Sequence, residues 1–121
     1  MARDRFVPRP CATAAGIPFS NAEEAWFWFV RAHEAKAAGA RIAAAQAEVP
    51  RPCEPIDLMR VIDRLYRNRR LIRDHLHVLA HYGRRSAAPD PDRQREQRAC
   101  VLWREAFGLI EPVLRGKGIV Q

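Results

Sequence analysis

The chain has 121 residues, with 21 Lys and Arg against 14 Asp and Glu and a formal charge of +7, and 48% of it is hydrophobic. That is one domain's length with enough apolar surface to bury a core without metal or disulfides, which excludes disorder throughout. The longest apolar run, Ala25 to Val30, is far short of the ~20 residues of a bilayer span, and the start lacks a signal-type apolar region, so the expected setting is cytoplasmic with no membrane partner.

Residues 1–19 contain Pro8, Pro10, Gly16 and Pro18 without a repeating apolar period. They read as an irregular arm, disordered or strapped over the core, ahead of a single helical domain over 20–121. Ser20 and Glu23 have capping-box spacing, which predicts a helix from Asn21. Its stripe is Ala22, Ala25, Trp26, Phe29, Val30 and His33, and Gly39 offers a stop. Residues 40–48 have high helix propensity but a thin apolar face, which leaves continuation or fraying open.

Pro50, Pro52 and Pro55 mark a hinge, with Pro55 suited to the first position of a second helix. That helix would bury Leu58, Val61, Ile62 and Leu65, with Met59 and Tyr66 on its shoulder. A break is expected at Asn68, Arg69 and Arg70. A third helix follows from about Leu71 with His75, Leu76, Val78, Leu79 and Tyr82, ended by Gly83 in a left-handed cap. After the 86–92 loop, Asp90 as N-cap and Pro91 as first residue would open a last helix. Ala99, Leu102, Trp103, Ala106, Phe107, Ile110 and Leu114 form its stripe, with a kink or early end at Pro112. No alternating strand pattern or repeat is present, so the class is all-α, a small bundle of about four helices.

The charge is uneven. Residues 51–85 hold nine basic and four acidic side chains, whereas the flanking segments are nearly balanced. Of the 21 basic residues 19 are Arg, suited to bidentate phosphate recognition where they cluster. With the turn set at Arg70, Leu65, Leu71, Leu76 and Leu79 occupy inward positions, and the stretch 57–82 resembles helix-turn-helix DNA-binding proteins. Tyr66 departs from that pattern where a small residue lets two helices approach, and Arg70 departs where Gly is usual. The resemblance implies that Arg69, Arg70, Arg73 and His77 face duplex DNA, more than RNA, with Arg84 and Arg85 for phosphates. The bland counterpart is a helical hairpin with solvated arginines.

Other constellations are thin. His77 and His81 share a helical spacing but lack the further ligands that zinc uses, and His33-Glu34 has Ala37 where a metalloprotease motif has its second His, so no metal or cofactor is expected. Cys11, Cys53 and Cys100 are odd in number and widely spaced, with no base or orienter nearby, and Cys100 reads as a packing residue. Asp57 with Asp63, and Glu105 with Glu111, lack the spacing of a shared helical face, so no acid/base pair suggests an enzyme. Phe27 and Trp28 lie off the first helix's stripe, which fits either burial on two sides or a protein-partner or homodimer surface. Two expectations result: a basic DNA-binding accessory factor of transcription or DNA packaging, of bacterial or phage type, and a non-enzymatic protein-interaction adaptor using the aromatic helix.

Overall fold

The computed structural model describes residues 16–39 and 49–121. Among them are four α-helices, α1 (Ala22–Ala37), α2 (Pro55–Arg67), α3 (Arg73–Arg85) and α4 (Gln97–Gly116), with one 3-10 turn, Gln94–Glu96, leading into α4. The fold is all-α; among the described residues the one β-type contact is an isolated parallel bridge between Phe19 and Val120. No described helix is long and apolar enough to cross a membrane. Cys11, most of the expected arm, and the 40–48 segment lie outside the described residues.

Helix α1 starts one residue later than the Ser20 box predicts. Asn21 is the N-cap, its Oδ1 accepting the Glu24 N–H at 2.9 Å, while Glu24 Oε1 accepts the Ser20 N–H at 2.7 Å. Asn and Ser are comparable caps, and the shift releases Glu23, which accepts the Trp103 indole N–H at 2.6 Å. At the other end Gly39, with φ +81, closes the helix as expected. The stripe from Ala22 to Val30 is buried, but His33 is exposed and merely stacks on Phe29 with ring centroids 5.8 Å apart.

Pro55 opens α2, and the Glu54 N–H is taken by Asp57 Oδ2 at 2.8 Å. All four residues expected inside are buried. Helix α3 begins at Arg73, two residues beyond the expected start, because Leu71 is drawn into the core. It continues through Gly83 to Arg85, and Ser86, at φ 55, takes the left-handed position instead. Gly83 is buried because α1 crosses it closely: a Cβ there would lie 2.8 Å from Trp26 Nε1 and 2.9 Å from Val30 Cγ2.

Asp90 does not cap α4. Its Oδ1 accepts the Asp92 N–H at 2.9 Å in a local turn, Glu96 Oε1 accepts the Asp90 N–H at 3.0 Å, and the α-helix begins at Gln97. Nor does Pro112 end it. The helix runs on to Gly116, with fully buried Leu114 and the following Ile119 and Val120 anchoring the far side. Leu102, Trp103, Ala106, Phe107, Ile110 and Leu114 are buried as their period requires, and Ala99 is half-buried.

Helices α1 and α4 each pack against all three others, whereas α2 and α3, though consecutive, are the pair that does not pack closely. Tyr66, 41% exposed, accounts for this: a large ring stands where a close helix pair needs a small residue. A clasp holds the start of α1. Phe19 is fully buried, its N–H donating to Ile119 O at 2.9 Å, and the Arg51 guanidinium lies 4.2 Å from its ring centre. The core therefore extends into the last residues of the expected arm.

Candidate nucleic-acid interface

The α2–α3 connection is built by backbone bonds rather than by glycine. Leu65 O accepts from both the Arg70 N–H at 2.9 Å and the Leu71 N–H at 3.1 Å, and the Arg69 N–H donates to Tyr66 O at 3.0 Å. The left-handed residue is Arg69, at φ 62, so the position calling for glycine is one earlier than the sequence pattern places it. Leu71, 1% exposed, pins the connection to the core and leaves Arg69 and Arg70 in solvent.

Helix α3 is oriented by a buried histidine. His75, 6% exposed, accepts the Ile72 N–H on Nδ1 at 3.1 Å and faces Glu105 Oε1 with Nε2 at 3.0 Å. Because Nδ1 accepts, the neutral ring carries its proton on Nε2 and donates it to Glu105. The N-cap itself, Ile72, has no side-chain acceptor. Arg73 and Asp74 therefore present their backbone N–H groups outward at the positive end of the helix.

Ion pairing divides the arginines. Arg51, Arg60, Arg67, Arg93, Arg98 and Arg115 each have a carboxylate within 4 Å. Arg69, Arg70, Arg73 and Arg84 are exposed and, among the described residues, have none. Arg85 sits 5.9 Å from the Tyr82 ring centre, with Nη1 3.5 Å from His81 Nε2, and His77 is exposed on the same helix. The six residues singled out from the sequence thus share one unit, Arg69, Arg70 and Arg73 at its head and Arg84 and Arg85 at its tail. Arg64 on α2 is likewise exposed without a carboxylate partner among the described residues, as are Arg31, Arg95 and Arg104.

The aromatic pair of α1 has partners within the chain. The Phe27 ring lies 5.8 Å from that of Trp103, and Trp28 lies 5.2 Å from Phe19; both are half-buried against the core. This is the two-sided burial their placement allowed. Cys53 is buried in the core and Cys100 is half-buried on α4. Among the described residues no three His, Cys, Asp or Glu side chains are grouped to hold a metal ion. Comparison with protein-family models, curated proteins and solved structures finds no match.

Proposed function

We propose that the protein is a non-enzymatic binder of duplex DNA that uses the head of α3 and the turn before it. The observation that carries this reading is the set of uncompensated arginines. Six arginines of the described surface are matched by a carboxylate, and of those that are not, Arg69, Arg70 and Arg73 fall together at one turn with Arg84 on the helix that follows, whereas Arg31, Arg95 and Arg104 are scattered along the chain. Arg73 and Arg84 are separated by about 16 Å along the helix at 1.5 Å per residue, a span commensurate with phosphate rows on either side of a major groove ~12 Å wide. The outward N–H groups at the head of α3 add partial positive charge where the turn arginines stand.

The resemblance to helix-turn-helix proteins supports the same assignment, and with the chain's basicity it is the ground for proposing a bacterial or phage-type accessory role in transcription or DNA packaging. The test is fluorescence anisotropy with a labelled mixed-sequence duplex over a range of salt concentrations, with a single strand of the same composition as comparison. Binding that weakens linearly in log affinity against log salt, and favours the duplex, supports the proposal. Absence of salt-sensitive binding refutes it.

A further inference from the structure

The gap between α2 and α3 is an open apolar groove of about 220 Å³, lined by Trp26 and Leu79 at its floor and by Met59, Tyr66, Leu76 and Ala80 on its walls. Its lining is almost wholly apolar, with Asp63 the one charged residue, and Asp63 is already paired with Arg67 at 3.0 Å. Met59 and Tyr66 are 38% and 41% exposed, so both walls offer apolar surface to solvent.

Arginines stand outside both walls. On α2, exposed Arg60 and Arg67 are three and four residues either side of Asp63, hence neighbours of the groove wall on the solvent side, but each is paired with a carboxylate of its own helix, Asp57 at 3.8 Å and Asp63 at 3.0 Å. On α3, exposed Arg73 precedes Leu76 by three residues and exposed Arg84 follows Ala80 by four, which puts both on the opposite rim. The unpaired basic charge therefore lies on the α3 rim, and an apolar trough beside it complements one kind of ligand by charge and polarity together.

We propose that this groove docks an acidic amphipathic helix of a partner protein, its apolar anchor side chain seated over Trp26 and its carboxylates meeting Arg73 and Arg84 on the α3 rim. The mode is helix-in-groove recognition, with anchors at i, i+4 and i+7. A nucleic acid satisfies the basic rim but leaves the trough empty, and an uncharged apolar helix does the reverse. The proposal does not depend on DNA binding. Shared use of Arg73 and Arg84 makes the two ligands compete if both bind.

The probe is a labelled 15-residue helical peptide with Leu at i, i+4 and i+7 and Glu on its flanks, titrated by anisotropy with the full chain and without DNA. One matched peptide has Ser for Leu, and another has Lys for Glu. The Glu/Leu peptide should bind at least about tenfold more tightly than either control, because anchor and charge both contribute. Two variants test the location: Ala80→Leu, which fills the trough, and Tyr66→Ala, which removes a wall from an exposed position. Each should weaken the Glu/Leu peptide by about tenfold while circular dichroism shows an unchanged helical fold.

The proposal is overturned if the Ser peptide binds as well as the Glu/Leu peptide, if the Lys peptide does, or if both variants bind like wild type. It is also overturned if light scattering shows a dimer that Tyr66→Ala dissociates, since a second copy then fills the groove.

Discussion

Trp26 and Gly83 approach so closely that the indole nitrogen occupies the space a side chain at residue 83 would need. Trp26 Nε1 donates to Leu79 O at 2.9 Å, the carbonyl one turn earlier on α3, and a Cβ at Gly83 would sit 2.8 Å from that nitrogen. The buried indole N–H therefore has its acceptor only because the residue four positions later is glycine. This contact sets how α1 crosses α3, and with it the floor of the groove.

Gly83→Ala should accordingly destabilise the protein, although alanine is favoured over glycine by about 1 kcal/mol in a helix interior. Overpacking at a rigid, buried ring costs about 1–3 kcal/mol, and an indole N–H pushed from its acceptor adds about 1–3 kcal/mol. The expected net loss is about 1–5 kcal/mol in a urea titration. In a Trp26→Phe background, which removes the clashing nitrogen but leaves Val30 Cγ2 2.9 Å from the added Cβ, the loss should be smaller than in the wild-type background. Equal losses in both backgrounds would place the helix crossing elsewhere.

The buried histidine gives a second prediction. His75→Ala leaves the Ile72 N–H without its acceptor and opens a cavity beside α4, so it should cost about 2–4 kcal/mol. Glu105, whose side chain is 56% exposed, has water as an alternative partner, and Glu105→Ala should cost under about 1 kcal/mol. Comparable losses from the two changes, read from denaturant midpoints, would assign the Glu105 contact the larger role.

Acid should loosen the ends of two helices. The Glu111 carboxyl is held below the ordinary glutamate range first by the Ala22 N–H, which it accepts at 3.0 Å, and then by Arg115. Glu96 is lowered chiefly by the Asp90 N–H and next by a hydrogen bond with Tyr82, whose own hydroxyl is raised by burial first and by Glu96 second. Both carboxyls bind protons more weakly in the folded chain than in the unfolded one. Their stabilisation is therefore complete above the ordinary glutamate value of about 4.3 and is lost as pH falls through the lowered folded values. Glu111→Gln should flatten the fall of stability between about pH 5 and 2, measured by urea melts at each pH. An unchanged slope would exclude Glu111 as a contributor.

Periodicity located the buried faces because each helix core repeats over several turns: Leu58, Val61, Ile62 and Leu65 on α2, and Leu102 through Leu114 on α4, are where the 3.6-residue pattern puts them. Boundaries shifted where a single side chain had two comparable uses. Ser20 and Asn21 can each cap α1, Asp90 can cap a helix or close a local turn, and Gly83 can end a helix or admit another. Each choice was settled by tertiary partners, Trp103 for Glu23, Glu96 for the Asp90 N–H and Trp26 for Gly83. The basic cluster was visible as local charge, whereas its lack of carboxylate partners depends on where Asp63 and Asp74 turn, toward Arg67 and Arg98. The groove wall was legible only as the shoulder positions Met59 and Tyr66 of α2, since the space beside them depends on the separation of α2 from α3.

The DNA reading makes a residue-level prediction that ion pairing sharpens. Each arginine that contacts a phosphate releases about 0.9 of a counterion, so removing one should reduce the slope of log affinity against log salt by about that amount. Arg69, Arg70 and Arg73 lie together at the turn and the head of α3 without carboxylate partners among the described residues. Their triple Ala variant should thus lose most of its duplex affinity at low salt and show a slope flatter by about two to three units. Arg31→Ala, on α1, is the remote control and should bind as wild type does. Arg67→Ala is the local control. Its guanidinium is held by Asp63 at 3.0 Å, so its removal frees a carboxylate nearby and should weaken binding without changing the slope by a full unit. All four proteins are compared at equal helicity by circular dichroism. A triple variant that matches Arg31→Ala in both affinity and slope would remove the turn from the interface and with it the helix-turn-helix mode of binding.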